Sequence, residues 1–431
     1  MSTSPPVLTV ALTELPATFR EQALRWAAGF AHCAYFEPNG LAYPHGTFER
    51  LLAVAHADAP AVHSLADLQA PEASPNPPAS PQFGFVTYDV KNEIEALTSE
   101  NFAGFAWPRL HFFTPQTWLR WTDDAVEIHG QTGGVLAQIL GQSVAVTGPP
   151  QVPALRPRLP KADYLRAVQD IREDILNGEV YELNLCHEFY AENVDLDPLE
   201  VFWRLMEASP APFAGFVRWH EHYLLCASPE RFLSRRGGQI ISQPIKGTIR
   251  RGTTPAEDEQ QRDRLLHDEK ERAENLMIVD LVRNDLARVA LTGTVRVPEL
   301  FGLYPFRHLW QMISTVEADL APNTGLPDVL RATFPMGSMT GAPKVRAMQL
   351  IEHYENSRRG LYSGSIGYVE PTGNFELNVV IRSLQYRADT GYLSFQVGSA
   401  ITYDSDPERE YEECLLKAKA LLQVLETVIS D

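Results

Sequence analysis

Residues 364–402 read GSIGYVEPTGNFELNVVIRSLQYRADTGYLSFQVGSAIT. Three runs within it, 364–369, 379–386 and 392–402, are strand-like, with polar residues at alternate positions. Turns of the Gly373-Asn374 kind join such runs, so antiparallel pairing is expected over a wound parallel sheet. Working outward, 222–227 and 181–190 continue the pattern, and 84–89 and 111–118 read as strands near the amino terminus. Helices are expected to start near Ala162, Glu257, Asp268, Thr340 and Pro407. The first carries Tyr164, Val168, Ile171 and Ile175 at helical spacing and stops at Gly178. The predicted class is α+β, with antiparallel sheets packed face to face at the core and helices outside.

Two proline-rich stretches punctuate the chain. Residues 70–82 hold Pro71, Pro75, Pro77, Pro78 and Pro81 and read as an extended surface loop; 148–160 holds five prolines just before the first strong helix. The main boundary is therefore set near residue 155, giving a region 1–155 and a region 156–431. The first has no motif set of its own and is expected to share the core sheets.

Composition narrows the function. The 431 residues carry 37 basic and 55 acidic side chains, a formal charge of -18, which argues against general affinity for nucleic acid or anionic lipid. The start of the chain lacks the basic and apolar pattern of a signal peptide, and no apolar run reaches membrane-spanning length, so a cytoplasmic protein is expected. Cys33, Cys186, Cys226 and Cys414 are widely spaced, with no Cys-x-x-Cys pair and no Gly-x-Cys-x-Gly elbow. They are expected to be reduced and structural, and no glutaminase centre is visible.

The chemistry gathers in the second region. Residues 243–252, QPIKGTIRRG, set Lys246 in a tight turn followed by Arg250 and Arg251. A lysine is nucleophilic near neutrality only where burial or nearby cations lower its pKa, and the two arginines are candidates for that role. The alternative is a solvated lysine between strand and turn. Glu271 and Glu274 lie three apart on one face of a predicted helix, and Glu410, Glu413 and Lys417 are spaced three and four apart on the last one. Such pairs suit a hard divalent cation completed by waters and a substrate carboxylate, or they are solvated acids near helix starts. MGSMTGAPK at 336–344 reads as a loop entering a helix with Thr340 as cap, either a plain turn or an anion site. Glu230, in SPERF at a strand end, is a candidate general acid, and Arg382, within the apolar run 377–384, needs a partner such as a carboxylate. Internal salt bridges would satisfy both equally well.

Taken together, Lys246 in PIKGT, Glu230 in SPERF, the two glutamate pairs, MGSMTGAPK and the run 398–413 occur in an order that resembles the chorismate-utilising enzymes, over about residues 160–425. Within them the chain is similar to the branch that aminates chorismate at carbon 4 for folate and 4-aminobenzoate synthesis. The resemblance implies an anthranilate synthase large-subunit-like fold, Lys246 as nucleophile and Glu230 as general acid at the leaving hydroxyl. It implies magnesium at Glu271, Glu274, Glu410 and Glu413, with Glu274 and Glu413 as the direct ligands. Gly247, Thr248, Tyr362, Arg382, Gly398, Ala400 and Lys417 match positions around the substrate carboxylates. By the same resemblance Lys246 attacks carbon 2, blocking it, while ammonia enters at carbon 4 from a separate glutamine amidotransferase subunit. Three positions depart from the family pattern. Ala400 replaces a common glycine, Gln311 stands where anthranilate synthases have a histidine, with His308 one turn away, and Glu182 stands where isochorismate and salicylate synthases have a water-activating lysine. The alternatives are an anthranilate synthase large component and a catalytically silent subunit of an amidotransferase complex.

Overall fold

The computed structural model describes residues 7–68, 80–144, 148, 150–307 and 309–430; most of the first proline-rich stretch and His308 lie outside them. Among the described residues the core is two sheets, one of twelve strands and one of ten, and every strand pairing in them is antiparallel. The middle of the larger sheet runs Phe213–Trp219, His222–Ser228, Ser383–Arg387, Tyr392–Ile401, Glu182–Ala191. The smaller runs Ile245–Arg250, Leu309–Asp319, Gln239–Gln243, Arg231–Arg236, Phe375–Asn378, Ser365–Val369, Gln82–Val86.

The two sheets meet through their apolar faces. The rings of Phe36 and Tyr368, one from each sheet, pack with centroids 5.5 Å apart. Gly215 permits the closest approach, because a Cβ there would stand 2.6 Å from the Ile366 side chain of the opposite sheet. Alternation along each strand sends one set of side chains into this interface and the other against helices or solvent. Strands from before residue 155 enter both sheets: His32–Glu37 pairs with Phe213–Trp219, and Gln82–Val86 with Ser365–Val369.

Helices cover the outside. Lys161–Leu176 and Pro407–Leu425 pack together. Pro255–Leu266 and Glu269–Ala287 lie near the Lys246 strand. Asp268 caps the second of these by accepting from the Glu271 amide at 3.1 Å, and Asp406 caps the last helix the same way through Arg409.

Three expectations are corrected. The apolar run 377–384 changes sheets and the strand expected at 379–386 starts only at Ser383: Phe375–Asn378 belongs to the smaller sheet and Ser383–Arg387 to the larger, with 379–382 crossing between them. Arg382 lies in that crossing at φ +53°, not within a strand. The run 111–118 splits likewise into Leu110–Phe113 and Thr117–Trp121, one in each sheet. An apolar run that changes sheets keeps its composition, which hides the break. Thr340 is not a helix cap. Its hydroxyl donates back to the Met336 carbonyl, Gly341–Ala342 pairs with Glu182 and Leu183 as an edge strand, and the helix starts later, at Lys344–Tyr354.

Candidate active site

Lys246 lies in the strand Ile245–Arg250, whose pairing with Leu309–Asp319 slips register between Ile245 and Thr248. Gly247 occupies the slip at φ +99°, where a Cβ would stand 3.1 Å from the Met312 Cβ and 3.4 Å from a Glu271 carboxylate oxygen. Only glycine accepts that conformation and that approach without strain. From the Glu269–Ala287 helix, Asn275 Nδ2 donates to the Lys246 carbonyl at 3.0 Å, while Asn275 Oδ1 accepts from Ser314 Oγ at 2.6 Å. The helix thus grips the lysine's backbone directly.

The lysine side chain points into acids. Its Nζ donates to Glu182 Oε1 at 3.1 Å and lies 3.9 Å from Glu274 Oε2. Burial by itself would lower its pKa, but the charges of Glu182, Glu274 and Glu413 outweigh that and hold the ammonium well above the ordinary lysine range. This corrects the expectation for the arginines, because Arg251 is committed to Asp258 at 2.6 Å and the groups around Lys246 are anionic. Glu230 is buried just before the strand Arg231–Arg236 and accepts from Ser338 Oγ at 2.8 Å. Burial pushes its carboxyl up to about 7, against the opposing pull of Ser338 and Lys246.

The glutamates gather about Lys270: Glu274, Glu410, Glu271 and Glu413 all raise its pKa against the effect of burial. Burial, then the charges of Glu274, Asp268 and Glu413, lift Glu271 to about 7, and burial lifts Glu274 as well. Glu413 is lowered, because Lys417, Lys246 and Lys270 outweigh its burial. Glu271 and Glu274 are thus driven toward neutrality, partly by neighbouring carboxyls, while the lysines hold Glu413 below the ordinary range. Among the described residues no three such side chains are gathered closely enough to hold an ion unaided. Magnesium is usually held by one or two carboxylates with waters and substrate oxygens, so the set fits that ion.

Of the expected substrate-binding residues, Gly247 and Thr248 lie on the Lys246 strand, and two others, Arg382 and Lys417, are cations. Lys417 Nζ donates to the Gly398 carbonyl and to Glu413 Oε1, both at 2.7 Å. Arg382 Nη1 reaches the Lys417 carbonyl at 3.5 Å, and among the described residues no carboxylate pairs with its guanidinium. Its burial lowers the guanidinium pKa, so an anionic group entering here meets a desolvated cation. Gly398 packs flush against Cys186, where a Cβ would stand 2.5 Å from the Sγ. Ala400 lies opposite Asn184 on the same pair of strands. Tyr362 is buried with its hydroxyl 3.9 Å from that Sγ, whereas Thr248 is exposed beside the lysine. Opposite Thr248 in the ladder stands Gln311, whose buried Oε1 has no partner among the described residues.

Sequence reasoning missed Glu182 as the lysine's partner, Ser338 on Glu230, Asn275 and Lys270. Glu182 stood out only as a departure from the family pattern; Lys270 lay in plain view between Asp268 and Glu271, without a spacing that marks it.

A family model described as chorismate binding enzyme matches residues 33–423. Aminodeoxychorismate synthase component 1 of Salmonella typhimurium is 41% identical over 273 residues, covering 63% of this chain and 60% of that protein. Anthranilate synthase component 1 of Aquifex aeolicus is 40% identical over 271 residues, covering 63% of this chain and 54% of that protein. The matched stretch thus spans little more than half the length of these relatives. In structure, anthranilate synthase component I of Streptococcus pneumoniae superposes with a TM-score of 0.72 at 26% identity, over 97% of this chain and 92% of the other. The match from residue 33 to residue 423, on a fold shared almost end to end, makes this chain a member of the family of chorismate binding enzymes.

Proposed function

We propose that the chain aminates chorismate at carbon 4, giving 4-amino-4-deoxychorismate, with ammonia supplied by a separate glutamine amidotransferase subunit in the cytoplasm. The observation that carries this reading is the Lys246 amine, 3.1 Å from a buried carboxylate, in the same site as an acid raised to about 7. The name of the Salmonella relative, a component 1, supports both the reaction and a partner.

Lys246 rests as an ammonium, so its proton must first leave, and Glu182 is the acceptor in contact with it. The free amine then adds at carbon 2 of the ring. The two conjugated ring double bonds each shift by one position, and the carbon 4 hydroxyl departs as water with the proton from Glu230. Ammonia next bonds to carbon 4, both double bonds shift back, and the lysine amine leaves carbon 2. The sum is chorismate plus ammonia giving the amino product plus water. Occupying carbon 2 with the lysine directs ammonia to carbon 4. Arg382, Thr248 and Lys417 bind and orient the carboxylates, and the narrower approach at Ala400 still allows a backbone contact. Glu274 and Glu413, flanked by Glu271 and Glu410, would hold magnesium, which when bound neutralises the ring carboxylate.

The test is incubation of the purified chain with chorismate, magnesium and ammonium, with the product identified by mass. The expected product is 4-amino-4-deoxychorismate, and Lys246→Ala should lose most of it, commonly several orders of magnitude in rate, at little changed chorismate affinity. An alanine variant making this product at near-normal rate would overturn the covalent route. The Aquifex relative supports a second reading, an anthranilate synthase large component; fluorescent anthranilate as the main product would establish it instead.

A further inference from the structure

Arg359 is fully buried, in the segment between the helix Lys344–Tyr354 and the strand Ser365–Val369. A guanidinium has five N–H donors, and each of them is used here. Nε and Nη2 form a fork on Glu355, at 3.0 Å to Oε2 and 2.6 Å to Oε1. Nη1 donates to the Met339 carbonyl at 2.6 Å and to Ser363 Oγ at 3.2 Å, and Nη2 also donates to the Asn184 carbonyl at 2.8 Å. The Tyr88 ring covers the guanidinium, its centroid 4.7 Å away. Glu355 is held in turn by the Cys186 amide, which donates to its Oε1 at 2.8 Å.

A buried cation must be paired, and the Glu355 fork alone would do that. The donors on Met339 and Asn184 add something else, because they join two segments that carry the proposed proton transfers. Met339 follows Ser338, whose Oγ donates to Glu230 Oε1 at 2.8 Å. Asn184 lies just beyond Glu182 on the strand Glu182–Ala191, and Glu182 accepts from Lys246 Nζ at 3.1 Å. The Asn184 amide also donates to the Thr340 carbonyl at 2.8 Å, so backbone and guanidinium bind the same two segments together. A planar fork fixes the spacing of the carbonyls it grips, which a flexible ammonium does not.

We infer that Arg359, locked by Glu355, is a positioning residue for the amination: through the Met339 carbonyl it holds Ser338 on the Glu230 proton donor, and through the Asn184 carbonyl it holds the strand end that carries Glu182. The inference rests on the reading of Glu230 as general acid. Burial raises the Glu230 pKa, while Ser338, Lys246 and the backbone of Ile245 pull it down, and Tyr43 lies within range of its charge. Loosening Ser338 removes one of the downward pulls, so the carboxyl then keeps its proton to higher pH.

The test is the pH dependence of kcat and KM for chorismate, with saturating ammonium and magnesium, in full-length variants whose melting curves are recorded alongside. Arg359→Lys keeps the charge but has fewer donors on a flexible stem. Its kcat should fall roughly tenfold or more at little changed KM, and the fall of kcat near pH 7 should move to higher pH. Glu355→Gln, which sets an amide donor against the guanidinium, should move it the same way by less. Ser363→Ala, which removes a guanidinium acceptor on neither segment, should leave it in place. In Ser338→Ala the limb should already have moved, and adding Arg359→Lys should move it no further. An unmoved limb in Arg359→Lys and Glu355→Gln, an equal shift in Ser363→Ala, or additive shifts in the double variant would each overturn the proposal. So would the failure of both Arg359→Lys and Glu355→Gln to fold, which would assign the pair to stability alone. A limb that persists in Glu230→Gln would instead remove the reading of Glu230 itself.

Discussion

Glu230 and the glutamates opposite it show how burial converts ordinary carboxyls into functional ones. Because the Glu230 carboxyl is raised from 4.5 to about 7, the stability tied to its neutral form is complete below about pH 4.5 and is lost as pH rises through 7. The same protonated form is the proposed proton donor, so kcat should fall as pH rises through about 7. Glu230→Gln should remove that limb and lower kcat by roughly 10²–10⁴, while melting at an equal or higher temperature at pH 8. A pH profile from 5.5 to 9 with parallel melting curves checks both. Glu274→Gln and Glu413→Gln should weaken magnesium activation far more than they change stability, since each removes an anionic oxygen from a crowded acidic set. Normal magnesium dependence in both variants would end that assignment. At this scale the spacing of Glu271 and Glu274 was legible because three residues on a helix share a face. The contact of Lys246 with Glu182, 64 residues earlier in the chain, was not.

Elements set the positions that residues exploit. The Glu269–Ala287 helix presents glutamates toward Lys246, and one residue on from Glu274 it turns Asn275 inward to hold the Lys246 carbonyl and Ser314. Asn275 is completely buried. Replacing it by alanine should therefore cost about 1–3 kcal/mol, the penalty for stranding buried polar partners, and should lower kcat as well by loosening the lysine's backbone. Urea melts and steady-state rates together separate the two effects; a variant stable yet unchanged in rate would show that the helix does not position the lysine. The starts of this helix and the last were readable, because Asp before a helical run satisfies free amides at the helix start. The loop at Thr340 was misread for a related reason. A glycine that lets backbones approach can serve a ligand or a neighbouring strand, and Gly341 serves the strand, where a Cβ would stand 2.1 Å from the Glu182 carbonyl oxygen.

For the whole molecule, the sharing of sheets by both halves of the chain decides how it should fold. His32–Glu37 covers one edge of Phe213–Trp219, and Gln82–Val86 covers one edge of Ser365–Val369. Residues 156–431 alone would leave both edges unpaired and strip the apolar faces that Phe36, Phe83 and Phe85 fill. That fragment should fail to give a cooperative melt, while the intact chain unfolds in one transition by circular dichroism and by tryptophan fluorescence. A stable, soluble 156–431 fragment with cooperative unfolding would show that the amino-terminal region is separable after all.

Local periodicity and turn chemistry let the sequence by itself determine the α+β class, the antiparallel pairing, the starts of four helices near Ala162, Glu257, Asp268 and Pro407, and the order of the motifs that mark a chorismate binding enzyme. These depend on neighbours a few residues apart, which the chain carries wherever it folds. The tertiary structure alone decided which sheet each strand joins, the crossing at 379–382 and the company each charge keeps. Lys246 is an ammonium because a strand and a helix distant in sequence bring Glu182 and Glu274 to it. Glu230 is a weak acid because the assembled core excludes water from it. Charge states inside a protein depend on burial and on partners from other elements, and neither exists until the sheets have closed on one another.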